Sequence, residues 1–158
     1  MYGDITTSEI EILNGFSNLN SSAQKEFKDY MNYLLCKQYK RELMAGIFHN
    51  GLLHSLLQSL LHIVEREEFQ INQIENRMKQ IQELYFGIFE KIHTKYSVLV
   101  NGLDSHELVK DFGRTSFENI TRACRSGNRI VIRLEILEFY EGYYKFAQKK
   151  DARKIVAV

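Results

Sequence analysis

LHSLLQSLLHIVEREEFQINQIENRMKQIQELYFGIFEKI, residues 53–92, carries the most regular apolar pattern in the chain. With Leu57, Val64, Ile71, Met78, Tyr85 and Ile92 at heptad position a, position d holds Leu53, Leu60, Glu67, Ile74, Ile81 and Ile88. Eleven of these twelve places are apolar or aromatic, with Glu67 the exception, and a stripe of this spacing is what one helix needs to lie along another. The pattern predicts an all-α fold, an elongated helical bundle built on one long helix over about residues 53–100. At 1.5 Å per residue such a stripe reaches roughly 60 Å, so it must pack along a second long helix, in the same chain or in another copy. On this reading Leu57, Leu60, Val64, Ile71, Ile74, Met78, Ile81, Tyr85, Ile88 and Ile92 form an oligomerisation seam, with a dimer as the favoured state.

The flanking positions qualify that helix. Leu56, Leu61, Ile63, Leu84 and Phe89 widen the stripe at both ends, whereas Glu68, Gln70, Glu75 and Arg77 leave its middle polar. Broad ends suit packing in a bundle. A turn at Glu67–Gln70, giving two antiparallel helices, is the alternative, and the continuous register favours one helix over it.

Working outward, the chain reads as one domain over 1–158. Residues 9–48 form an N-terminal helical pair. Thr7 and Ser8 before Glu9 mark the first start, and Ser21 with Gln24 makes a capping-box pattern for the second helix. Phe27, Tyr30, Met31, Leu34 and Leu35 recur there at helical spacing, and His49-Asn50-Gly51 is a stop. After Asn101-Gly102, Asp104 with Glu107 opens a short helix to Phe112, and Gly113 breaks it. Ser116–Arg125 forms another helix, stopped by Ser126-Gly127-Asn128. Residues 129–137 fit two patterns: a helix from Arg129 to about Lys150, or a short strand in which Ile130, Ile132, Leu134 and Ile136 alternate. The tail 154–158 is β-prone.

Composition narrows the function classes. In 158 residues the net charge is +1, so any polyanion-binding role must come from local clustering of charge. Proline is absent, as suits uninterrupted helices. Cys36 and Cys124 are too few for a disulfide framework, no secretory signal opens the chain, and no run reaches the roughly 20 apolar residues of a membrane span. These features predict a cytoplasmic protein with free thiols, no membrane partner and no cofactor.

Residues 107–122 hold the strongest chemical candidate. Leu108, Val109 and Phe112 would supply the inner face of a first helix, Gly113 a tight turn, and Thr115 or Ser116 the cap of a second. Lys110, Arg114, Arg122, Arg125, Arg129 and Arg133 set six positive charges against Asp111 and Glu118, a local excess of +4 that suits phosphate contact. The segment resembles a degenerate bacterial helix–turn–helix, which implies nucleic-acid binding by those six residues. It departs from the pattern in placing Ile120 one residue late. The alternative is two connecting helices with a solvated basic face. Residues 12–35, from Ile12-Leu-Asn-Gly through Ala23-Gln-Lys-Glu to Tyr33-Leu-Leu, resemble the helical segment that follows the DNA-binding domain in phage-type Xre-family repressors. That resemblance implies oligomerisation in a regulator, although no matching DNA-binding domain precedes it.

Catalytic and metal chemistry find little here. Glu90-x-x-His93 is half of a carboxylate-bridged di-iron motif, and such sites need two copies and two further acids. The heptad register turns both residues outward. His49, His54 and His62 are spaced too widely for a tight ligand set, and no nucleophile elbow or phosphate-binding glycine loop occurs. Phe139, Tyr140, Tyr143, Tyr144 and Phe146 read as core or interface, or else as a ligand pocket. The expected function is a non-enzymatic regulatory or binding module that self-associates and contacts nucleic acid. The alternatives are a protein–protein adaptor without nucleic-acid binding and a ligand-binding or enzymatic helical bundle.

Overall fold

The computed structural model describes residues 3–103 and 106–156, with side chains described as far as Gln148. These residues form six helices and no strand: α1 (Thr7–Asn18), α2 (Ser21–Phe48), α3 (Gly51–Val64), α4 (Ile71–Ser97), α5 (Glu107–Ser126) and α6 (Arg129–Val156). The fold is all-α.

Short polar residues start most of these helices by accepting from amides of the first turn. Thr6 forms a capping box with Glu9, its amide donating to Glu9 Oε2 at 2.6 Å. Asn20, rather than Ser21, caps α2 by accepting from the Ala23 amide. Asn50 does the same for α3 through Leu53. Gly127, at φ 70°, ends α5, and Asn128 Oδ1 accepts from the Ile130 amide to open α6. The expected cap at Asp104 lies outside the described residues, as do Ala157 and Val158 of the tail.

Three expectations are corrected. The 53–100 helix is two helices, because the chain leaves helical geometry over residues 65–70 and α3 then packs on α4. Glu65–Glu68 stay exposed while Phe69 turns into the core, 4% exposed; a charged waist gains nothing from continuing the stripe. Second, Gly113 does not break a helix, since α5 runs through it and the helix–turn–helix is absent. The glycine is buried against the Tyr85 ring and permits close approach of α5 to α4. Third, residues 129–137 are the first turns of α6, burying Ile132 and Ile136 at i, i+4, so the strand alternative fails.

The core lies where α4 meets α2, α3 and α5, and where α6 meets α2, α3 and α5. Phe48, Tyr85, Phe117, Phe139 and Tyr143 are buried there. Buried phenols need hydrogen-bond partners: Tyr85 donates to Val109 O and Tyr143 to Ile47 O, each at 2.6 Å. Burial pushes both hydroxyls well above the usual tyrosine range. On the α2–α4 face, Glu42 accepts from Tyr96 Oη and Lys95 Nζ, which hold its carboxyl below the ordinary range.

Cys124 is 6% exposed, and burial, with Glu75 as a lesser cause, pushes its thiol up to about 11. Because the thiolate is the reacting species, a chromogenic disulfide at pH 8 is expected to react slowly at this position in the folded protein. Unfolding should then release a rapid second equivalent beyond Cys36. Two equally fast thiols in native protein would contradict the packing of α5.

The core does not include the N-terminal quarter of the chain. From residue 3 to residue 38 no side chain is buried, and Tyr39 is the first that is. α1 meets α2 at Phe16, whose carbonyl accepts from Gln24 Nε2 and whose ring faces Phe27, and α2 extends roughly 27 Å before reaching Tyr39.

Candidate functional site

Two surfaces carry chemistry that the core does not use. The first is a shallow groove of ≈310 Å³ between α4 and α5. Gln82 and Phe86 come from α4, and Arg114, Phe117, Glu118, Thr121, Arg122 and Arg125 from α5. At 100° per residue, Lys110, Arg114, Arg122 and Arg125 fall within about 120° of the α5 circumference, and all four are exposed. Arg114 is held by Asp111, Nη2 to Oδ1 at 2.7 Å. Among the described residues Arg122, Arg125 and Lys110 have no carboxylate within ion-pair distance. The structure thus brings together four of the six residues assigned to nucleic acid.

The other two are employed elsewhere. Arg133 Nε donates to Val64 O at 2.8 Å and Nη2 to Arg66 O at 3.0 Å, while Arg129 Nε donates to Phe69 O at 3.1 Å. Both guanidinium groups lie within 6 Å of the Phe69 ring centre. Arg133 satisfies carbonyls left free where α3 ends, which a helix C-terminus requires, and brings positive charge to its negative pole, while Arg129 holds the carbonyl just before α4. Arg133→Ala is expected to cost about 1–3 kcal/mol, the usual worth of charged hydrogen bonds. The loss should appear as faster amide exchange at the C-terminal turn of α3 and in residues 65–70; unchanged exchange there would refute the capping role.

The ten seam residues are occupied inside the chain. Leu57, Leu60, Val64, Ile74, Met78, Ile81, Tyr85 and Ile92 are buried, and Ile71 and Ile88 are half-buried against the same core. Their apolar surface is covered by the chain's own helices. Of the aromatic cluster, Phe139 and Tyr143 are core, whereas Tyr140 and Tyr144 bond to Gln58 and Tyr144 also to His54. His54 Nε2 lies 2.9 Å from Phe48 O, so this nitrogen carries the proton and the ring caps the end of α2. Glu90 is exposed as expected, but His93 is half-buried between Phe89 and Tyr39. Among the described residues no group of three or more His, Cys, Asp or Glu is placed to hold a metal. Nor is any helix among them long and apolar enough to cross a membrane.

The second surface is the arm formed by α1 and the first half of α2. Ile10, Ile12, Leu13, Tyr30, Tyr33 and Leu34 are 44–62% exposed. Within the arm, Phe16 meets Phe27 at 5.5 Å between ring centres. The signal for this surface was present in the sequence as two apolar faces on α2. Leu35, Tyr39 and Leu43 turn to the core, while Phe27, Tyr30, Met31 and Leu34 lie about 130° away around the helix.

Comparison with protein-family models, with curated proteins and with solved structures found no match to this chain. The described residues form an all-α fold of six helices with an apolar arm and a basic groove.

Proposed function

We propose that the protein is a non-enzymatic binding module that docks helices of another chain on its α1–α2 arm. The observation that carries this reading is a row of large apolar side chains on a helical segment with nothing buried between residues 3 and 38. A 12-residue helix such as α1 is marginal in water without tertiary packing, and contiguous exposed apolar patches mark interaction sites. Regulation by association is the role that the resemblance of residues 12–35 implies, and the arm supports it better than the 53–92 stripe does. A photo-crosslinking amino acid in place of Tyr30, on the arm, is expected to capture another polypeptide in cells. The same group in place of Glu90, on exposed α4, should not; equal yields at the two positions would defeat the proposal.

A second reading, nucleic-acid contact, is favoured by the shared stripe of Lys110, Arg114, Arg122 and Arg125. It expects salt-sensitive binding to mixed DNA or RNA. Arg122→Ala with Arg125→Ala should lower the log–log salt slope on duplex DNA by about 1.8, since each phosphate contact contributes roughly 0.9. No mobility shift at low salt would dismiss it.

A further inference from the structure

We infer that the occupant of the arm is a second copy of this chain, related by a two-fold axis that lays the two arms side by side in opposite directions. This inference rests on the arm being a docking surface and names its partner. Two observations select a second copy.

The first is area. Ten large side chains between Ile5 and Leu34 are 39–62% exposed. Counted over every side of α1 and α2, at about half of the surface that large side chains can bury, they amount to roughly 1,000 Å² per chain. A standard specific interface covers about 800 Å² per partner. A two-fold contact that covers most of this surface is therefore of the size a stable dimer needs.

The second is charge. Residues 3–20 carry Asp4, Glu9 and Glu11 and no Lys or Arg. At the root of the arm, where α2 enters the core, stand Lys37, Lys40 and Arg41. All six are exposed, and among the described residues none is ion-paired within the chain. Lys37 and Arg41 also continue the outward stripe of Tyr30 and Leu34 along α2 at helical spacing. The apolar row thus has an acidic end and a basic end. A two-fold interface pairs residue i with j and j with i, so reversing one arm against another sets acid on base at both ends. The surface is complementary to itself.

Sedimentation of the full chain across the micromolar range is expected to show twice the 18.6 kDa monomer mass. Leu34→Asp should weaken the dimer about 100-fold or more, because association would bury a carboxylate without a partner. Leu34 is 44% exposed in the single chain, so this variant should keep the wild-type helical content. Asp4→Lys with Glu11→Lys should weaken association about tenfold by setting like charges together. Adding Lys37→Glu and Arg41→Glu to the same chain should restore it, a rescue that only reciprocal pairing produces. A dimer indifferent to Leu34→Asp, or a charge reversal without rescue, would overturn the arm-to-arm assembly. So would a monomer at every concentration, and hydrogen exchange then separates the two readings. Arm amides that exchange freely in that monomer leave the arm as a docking surface for a different chain. Arm amides that are protected there remove the arm's need for any partner, and the proposed function with it.

Discussion

Phe48→Ala is expected to remove about 3–5 kcal/mol of stability, the usual range for deleting a buried phenylalanine ring. Phe48 ends α2 and is 0% exposed. Its ring lies 4.8 Å from Phe146, 5.1 Å from Tyr143, 6.2 Å from Phe112 and 6.4 Å from Tyr85, centre to centre. These neighbours belong to α4, α5 and α6, so truncation opens a cavity among four helices at once. Two of the neighbours cannot move in freely. Tyr85 and Tyr143 are tied by their hydroxyls to the Val109 and Ile47 carbonyls, and a site that cannot collapse bears the higher cost. Against a total of about 5–15 kcal/mol for a typical domain, the urea midpoint should fall by about a fifth or more. The melting temperature should drop by about 10 °C, at roughly 2–4 °C per kcal/mol for a chain of this size. A loss below about 1 kcal/mol would mean that these rings do not share one core.

Gly113→Val should be comparably damaging for the opposite reason. A Cβ at this position would stand 2.9 Å from Tyr85 Cζ and 3.0 Å from Cδ1, with Cε1 nearer still. The ring cannot swing aside, because Phe48, Phe86 and Phe117 pack around it and its hydroxyl bonds Val109 O. Either that buried hydrogen bond breaks or α5 lifts from α4. Overpacking costs about 1–3 kcal/mol, and an orphaned buried group costs about 1–3 more. Gly113→Ala should destabilise less, since alanine regains up to about 1 kcal/mol of helix propensity. Gly87 is the control. It lies in α4 with nothing within 4 Å of a Cβ, so Gly87→Ala should stabilise by roughly 0.5–1 kcal/mol. Paired urea curves check both; a stabilising Gly113→Ala would contradict the close approach of α5 to α4.

Gly113 also shows how a sequence signal can mislead. A glycine flanked by helical patterns permits a turn, and it equally permits two helices to touch. The deciding residue, Tyr85, sits on another helix and leaves no trace in the local pattern. The same holds for residues 65–70. No proline, glycine or asparagine marks the end of α3, and the heptad register continues across the gap. The carbonyls freed there are satisfied by Arg129 and Arg133 from α6. Read along the chain, those two arginines are surplus positive charge; in the fold they tie down the turn between α3 and α4. The basic groove was legible only as far as helical spacing reaches, which is why Lys110, Arg114, Arg122 and Arg125 stay together and the α6 residues do not.

What the sequence determined by itself was local: a mostly helical chain, the breaks at His49–Gly51 and Ser126–Asn128, and which side chains of residues 53–92 turn inward. Eight of the ten seam residues are buried as that periodicity requires, because 3.6-residue repetition is a property of one helix and needs no knowledge of its neighbour. Only the tertiary structure decided what covers the stripe. α4 is met by α2, α3 and α5 of its own chain, so the apolar surface expected to join two copies closes one core. The arm is left uncovered. Which apolar face stays uncovered depends on contacts between helices distant in sequence, and no local pattern records them.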